Sequence, residues 1–406
     1  MEDANGELCS DEEGISSILV DYYQQLFTSS NPSMVEEVVA HIPCTITNEL
    51  NVELLADFTR EEVVVVALKQ MEPLKAPRSD KLPPLFFQRY WHVVGDDVTE
   101  AMLSCLSMGV ILASLNGTFI TLIPKVKSPT KVSEFRHISL CNIVYKLVAK
   151  VVANRMRGLL PLIISESQSA FQSDKAISDN ILVAFETLHH MKNQKSKKGG
   201  FMALKLDMNK AYDRVEWHFL DLTMRRMGFS NRWVDLIMAC VGSVSYQILV
   251  NGVPRGDIRP TSGIWQGDPL SPYLFLICSE ALNQQLQHAA RSEVIRGFSL
   301  CRNGPRINHL FFADDTLLFC RASRGDLEAI LQVLQLYEQA SGQKLNRDKT
   351  MVFFSKATTE EQRQELVEFL GVNEVREYEK YLGLPAVVGR NKESLNYIRE
   401  RVWNKL

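Results

Sequence analysis

The spacing of apolar and polar positions changes period several times along this chain, and each change predicts an element. Ile15 to Phe27 has helical spacing in an acidic setting, followed by a loop at Ser29 to Ser33 and a short amphipathic segment ending near Leu55. Thr59 with Glu61 and Glu62 caps a second helix through Met71, and the breaker-rich stretch Pro73 to Pro84 interrupts the helical pattern before Leu85 to Trp91. A helix is expected from about Asp96 to Met108. Residues 117 to 124 alternate as a strand, with Arg136 to Leu140 as its partner across the lysine-bearing loop Lys125 to Val132. Asn142 to Leu160 and Ile177 to Met191 return to helix, and the solvated run Lys192 to Gly200 reads as a loop between subdomains.

Beyond Phe201 the pattern becomes strands separated by helices. Phe201 to Leu206 is a strand, a helix runs to Arg226 and closes at Gly228, another covers Arg232 to Val241, and Tyr246 to Val250 is a strand before the Asn251-Gly252 turn. A long apolar helix covers Ser271 to about Ala290. Two apolar strands, Asn308 to Ala313 and Thr316 to Cys320, are separated only by Asp314-Asp315. Leu327 to Ser341 is a helix stopped by Gly342, Thr350 to Phe354 a strand, and Thr358 to Leu370 a helix with Thr358 and Glu361 at capping-box spacing. The fold class this predicts is α+β with an antiparallel sheet.

Composition adds bounds. With 406 residues, 46% hydrophobic and 23% charged, the chain is long enough for two or three cores, and no apolar run approaches the roughly 18 residues of a membrane-spanning helix. The eight cysteines form no Cys-x-x-Cys pair, and most sit in apolar stretches as reduced core thiols. No secretory signal follows Met1, so an intracellular site, nucleus or cytoplasm, is expected. The net charge of −3 hides an asymmetry: residues 1 to 63 hold 14 acidic side chains against one basic residue, Arg60, and the remainder is basic, 44 against 34. A polyanionic partner fits that excess, although a similar balance occurs in many soluble enzymes.

The chemistry concentrates at strand ends. Asp207 follows Ala203-Leu204-Lys205-Leu206, and Asp314-Asp315 sits between apolar flanks, His309 to Ala313 and Thr316 to Cys320. Aspartates in a two-residue turn are ordinary turn chemistry, but flanks apolar enough to bury the hairpin make charge there costly unless a cation neutralises it. Asp207 brought alongside would complete a hard-oxygen site suited to Mg²⁺ and to in-line phosphoryl transfer. Five positions after Asp207 stands Tyr212, followed by Asp213-Arg214.

From these residues the chain resembles the reverse transcriptases of non-long-terminal-repeat (LINE-type) retrotransposons, the plant members most of all. Asp207 to Val215 is similar to the first palm carboxylate segment, Gln266-Gly267-Asp268-Pro269-Leu270-Ser271-Pro272 to the template and nucleotide-positioning loop, and Phe312-Ala313-Asp314-Asp315 to the metal-binding turn. Ala340 to Lys344 through Lys349 resembles the next palm segment, Tyr381-Leu382-Gly383-Leu384-Pro385 the primer-grip region, and Leu122 to Lys125 with Phe135 to Leu140 the fingers strands. The resemblance covers about residues 60 to 406. It implies a right-hand polymerase: an acidic N-terminal linker or helical segment at 1–60, fingers at 61–200, a palm with an antiparallel sheet at 201–355, and an incomplete thumb and primer-grip region at 356–406, the whole read as a fragment of a longer protein.

The resemblance further implies an RNA-directed DNA polymerase that extends a primer 3′-hydroxyl with deoxynucleoside triphosphates. Its partners are then an RNA template, a DNA primer or RNA–DNA hybrid and dNTPs, and its cofactor two Mg²⁺ ions, with Mn²⁺ as a substitute. Asp207, Asp314 and Asp315 become the metal-binding catalytic acids and Lys349 the general acid. Lys125, Arg136, Tyr212, Gln266 and Gly267 become nucleotide-binding residues, with Tyr212 excluding a 2′-hydroxyl. Tyr381, Leu382 and Gly383 become the primer grip. Asp268 is expected to cap the helix near Ser271 rather than touch substrate. The chain departs from the family pattern at Arg78 to Lys81, at His137 in place of a usual Pro, at Trp265 in place of a usual Arg, and at Gln172 to Lys175 in place of Pro-Gly-Arg. These departures spare every metal ligand, and they leave open a second reading, a catalytically silent, decayed or domesticated descendant that binds nucleic acid without turnover.

Overall fold

The computed structural model describes residues 1–3, 5–62, 68–73, 82–172, 175–194, 199–301, 304–376, 380–382 and 384–385. The middle of the helix expected after Thr59, the turn at Arg78 to Lys81, much of the Lys192 to Lys198 loop, Gly383 and residues 386–406 therefore lie outside the described residues. The chain is mixed α and β, rich in antiparallel pairing, and divides into two compact units that interleave in sequence. One unit comprises Met1–Ile163, Tyr212–Cys278 and Gln339–Gly342, and the other Ile164–Ala211, Ser279–Glu338 and Gln343–Leu406. Among the described residues no helix is long and apolar enough to cross a membrane.

The first unit holds a four-stranded sheet in the order Phe135–Cys141, Gly117–Pro124, Ser245–Val250, Val253–Ile258. Gly117–Pro124 pairs antiparallel with its expected neighbour, from Thr118↔Cys141 to Pro124↔Phe135, and parallel with Ser245–Val250 on its other edge. Trp233, Trp265, Tyr145, Tyr246 and Phe219 are fully buried in this unit, together with Tyr23 and Phe27. The acidic first segment thus contributes core as well as charge. Its helix, Glu12–Leu26, is capped by Asp11, which accepts the Gly14 N–H, and Phe27 packs on Tyr246 at 5.0 Å between ring centres.

The second unit is built on a five-stranded sheet in the order Asn373–Glu374, Met351–Phe354, Phe201–Leu206, Asp315–Arg321, His309–Phe312. All its pairs are antiparallel except the first. Helix Ile177–Asn193 supplies Ala184, Leu188 and Met191 to a core that also holds Ala203, Leu317, Phe319 and Phe353. The helix expected from about Asp96 begins five residues earlier, at Trp91, and the helix expected from Thr358 also starts elsewhere. Thr359, paired with Gln362, caps Glu360–Leu370, because Thr358 is turned inward, its N–H on the Ser355 carbonyl and its hydroxyl 3.4 Å from the Ser355 hydroxyl.

Candidate active site

Phe201–Leu206 is the central strand of the second unit, and its registers decide what meets Asp207. The last pair toward one neighbour is Leu206↔Thr316, and toward the other Lys205↔Met351. Continuing both registers sets Asp207 opposite Asp315 on one side and opposite Lys349 on the other. The Lys349 ammonium lies 3.9 Å from Asp207 Oδ2, and Lys205 Nζ lies 4.0 Å from Asp315 Oδ1. The backbone of Asp207 is held on both sides, its N–H donating to Thr350 Oγ1 at 3.4 Å and its carbonyl accepting from the Asn346 N–H at 2.8 Å.

The hairpin turn falls one residue earlier than expected. Asp315 pairs with Phe312 as the first residue of its strand, so the two turn residues are Ala313 and Asp314. The pairing of Thr316 with both Phe311 and Leu206 fixes where the turn must fall, and such a tight hairpin requires a left-handed residue, which here is Ala313 with φ 53°. Asp314 is exposed at the tip and Asp315 half-buried.

Although Asp314 reaches solvent at the tip, desolvation by the protein around it raises its pKa, its own backbone pulls the other way, and the charge of Asp207 adds to the rise. For Asp315, desolvation again acts upward, Lys205 pulls the other way, and Asp314 and Asp207 add to the rise. Three negative groups are thus held at one end of a sheet against their mutual repulsion, which is the electrostatic condition a bound cation relieves. Their donors are hard carboxylate oxygens, as Mg²⁺ prefers. They are not drawn into a tight cage: among the described residues, the set of three ligand side chains whose atoms all lie within 4.8 Å of one another is Glu186, His189 and His190, on an exposed helix face.

In the first unit, Lys125 follows its strand and donates from Nζ to the Ser133 carbonyl at 2.9 Å, while Arg136 is exposed opposite Ile123. Tyr212 lies in a turn, half-buried, with its ring stacked on Phe275 at 4.4 Å and 8°, and its carbonyl accepts the Ile264 N–H at 2.9 Å. Gln266 and Gly267 form an exposed turn in which Gly267 takes φ 101°, a conformation that favours glycine. Asp268 beside them is buried and accepts from the Ser271 hydroxyl and from the Leu270 and Ser271 backbone, as a cap does. Burial pushes its pKa up to about 7 despite the neighbouring Lys146 charge.

Two departures from the family pattern prove to be core residues. His137 is buried with Nε2 2.9 Å from the buried Asp213 Oδ1, and Trp265 is buried beside Tyr145 and Tyr246.

Of the expected primer-grip residues, Tyr381 is buried in the second unit's core with its hydroxyl 3.3 Å from Asn180 Oδ1, and Leu382 is half-buried with φ 50°; Gly383 is outside the described residues. Sequence reasoning missed Lys205, Thr350 and Gln168, the last of which hydrogen-bonds the Ala313 backbone. Lys205 had a signal, a charge inside the apolar run Met202 to Leu206.

The sequence profile of the family described as reverse transcriptase (RNA-dependent DNA polymerase) matches residues 123–374. The transposon TX1 uncharacterized 149 kDa protein of Xenopus laevis is 26% identical over 349 residues, which are 85% of this chain and 26% of that protein. The retrovirus-related Pol polyprotein from type-2 retrotransposable element R2DM of Drosophila melanogaster is 22% identical, over 82% of this chain and 29% of its own length. An uncharacterized mitochondrial protein of Arabidopsis thaliana is 48% identical over 68 residues, 17% of this chain and 56% of that protein. The chain therefore spans between about a quarter and just over half of these relatives.

Proposed function

The chain belongs to the reverse transcriptase (RNA-dependent DNA polymerase) family, and from that premise we propose that it copies RNA into DNA as the polymerase part of a non-long-terminal-repeat retrotransposon protein. The observation that carries this reading is the row Lys349, Asp207, Asp315 across the second unit's sheet, with Asp314 at the adjoining turn. In this reading the sheet around 201–355 is the palm, 61–200 the fingers and 356–406 part of a thumb, with the acidic residues 1–60 ahead of them. Its partners are an RNA template, a primer bearing a 3′-hydroxyl, and deoxynucleoside triphosphates.

Asp207, Asp314 and Asp315 are the residues that would hold two Mg²⁺, or Mn²⁺ in their place, which when bound supply activation of the hydroxyl and neutralisation of the leaving pyrophosphate. The protein's own groups do the remaining work. Lys349, exposed beside Asp207, is a proton donor for pyrophosphate, and Lys205 offsets the charge of Asp315. In the other unit, the Lys125 ammonium and Arg136 guanidinium are suited to triphosphate oxygens, and the Gln266-Gly267 turn to close approach by a base pair. The Tyr212 ring, fixed by its stack on Phe275, is suited to exclude a 2′-hydroxyl. Tyr381, being buried, serves the primer region by supporting it rather than by touching the primer.

The test is primer extension on an RNA template with dNTPs and rNTPs supplied separately. DNA synthesis with strong preference for dNTPs is expected, and Tyr212→Ala is expected to raise ribonucleotide use at least about 10-fold. An active enzyme with unchanged sugar preference would remove Tyr212 from this role. An RNA product would move the chain toward RNA-dependent RNA synthesis.

A further inference from the structure

The acidic hairpin carries a local conflict: its turn demands a left-handed residue, and the residue there is Ala313, with φ 53°, where glycine would be at ease. One side chain brackets that alanine. Gln168 Oε1 accepts the Ala313 N–H at 3.0 Å and Gln168 Nε2 donates to the Ala313 carbonyl at 3.5 Å, so both backbone polar groups of the strained residue meet the same amide. Gln168 is 2% exposed, and its Oε1 also accepts the Ala170 N–H at 3.0 Å, which fixes the amide orientation.

The segment that carries Gln168 is itself locked to the hairpin. The Phe311 N–H donates to the Ser167 carbonyl at 2.8 Å and the Ser169 N–H to the Phe311 carbonyl at 3.2 Å, extending the sheet past its edge strand. Asn180 Nδ2 donates to the same Phe311 carbonyl at 2.8 Å and to Ser169 Oγ at 2.8 Å. The Gln168 carbonyl accepts from Gln172 Nε2 at 2.8 Å and Lys175 Nζ at 3.0 Å. A buried glutamine held at this many points has little freedom to move, and it grips the peptide units on both sides of Ala313, the second of which joins it to Asp314.

We infer that Gln168 is a positioning residue for the metal-binding turn: by holding Ala313 left-handed it sets the directions in which Asp314 and Asp315 leave the hairpin. It touches neither substrate nor metal and acts through the Ala313 backbone. The inference rests on the reading of Asp314 and Asp315 as metal ligands. It carries a specific corollary: a residue that adopts the left-handed conformation without help makes Gln168 dispensable.

The experiment compares the full chain, Gln168→Leu, Ala313→Gly and the double variant, with Mn²⁺ titration by electron paramagnetic resonance, primer extension and melting temperature measured on each. Gln168→Leu is expected to weaken Mn²⁺ binding about 10-fold and to lower kcat about 10-fold with KM for dNTP within about 2-fold. Adding Ala313→Gly is expected to restore most of both losses. Equal impairment of Gln168→Leu and the double variant, or Mn²⁺ affinity unchanged in a folded Gln168→Leu, overturns the inference. Should Gln168→Leu not fold, Gln168→Glu keeps the Oε1 acceptor and loses the donor, and hydrogen exchange at the Ala313 amide in the parent reads the bracket directly: protection is expected, and rapid exchange refutes it. Mn²⁺ binding that responds to Gln168 in a chain that makes no DNA sustains the positioning role while overturning the polymerase reading. A working polymerase indifferent to Gln168 does the reverse.

Discussion

At the scale of single residues, the candidate site is governed by where charge is tolerated. Asp207, Asp314 and Asp315 were legible from sequence because carboxylates at the ends of apolar strands are costly and therefore conspicuous. Lys205 was conspicuous as a charge in an apolar run, but its partner Asp315 is set by strand register, and Gln168 gave no signal, since its contact is with a segment far away in the chain. Asp268 shows the same physics inside the first unit. Its folded pKa, near 7, lies above the ordinary carboxylate value of 3.8, so its contribution to stability is complete below that ordinary value and is lost as pH rises through about 7. Between those limits the parent is expected to lose about 1.4 kcal/mol of stability per pH unit from this group, and Asp268→Asn to remove that slope. Chemical denaturation of both proteins from pH 4.5 to 8 checks it; parallel curves would show that Asp268 ionises normally.

At the scale of elements, local pattern was a good guide where the pairing partner is near in sequence. Gly117–Pro124 and Phe135–Cys141 were recognisable as a strand pair, whereas the parallel pairing of Gly117–Pro124 with Ser245–Val250 has no local signature. The one-residue errors at Thr358 and at the Asp314 turn have a common cause: Ser355 and the flanking strand pairs, not the capping or turn residues alone, fix the final position. Helix stops were legible through glycine at Gly228 and Gly342, and the structure adds Gly109, but the costs of such stops differ. Gly109 and Gly342 both end helices in the left-handed region, with φ 68° and 74°. A Cβ on Gly109 would meet open space, whereas on Gly342 it would lie 2.5 Å from the Arg214 carbonyl oxygen. Gly109→Ala is expected to cost about 1 kcal/mol and Gly342→Ala at least about 2 kcal/mol more, measured by denaturant unfolding. Equal losses would show that backbone conformation alone sets the cost.

At the scale of the whole molecule, the two units interleave, so no cut in the sequence separates them, and this was invisible to a reading that moves along the chain. The charge asymmetry was visible, and its acidic part proves also to be a source of core residues, Tyr23 and Phe27. If the basic remainder contacts phosphates, affinity for an RNA–DNA hybrid falls at least about 10-fold between 50 and 200 mM salt. Filter binding across that range tests it, and a flat response would argue against a phosphate-binding surface.

The central claim is that the acids at the end of the second unit's sheet drive templated DNA synthesis. Its most direct test is Mg²⁺-dependent primer extension on an RNA template by the parent and by the Asp314→Asn, Asp315→Asn double variant. The account predicts extension by the parent and a loss of at least about 10³-fold in the variant, with no fall in melting temperature because the substitutions relieve repulsion. Equal extension by both proteins, or none by either while both still bind the hybrid, would contradict it.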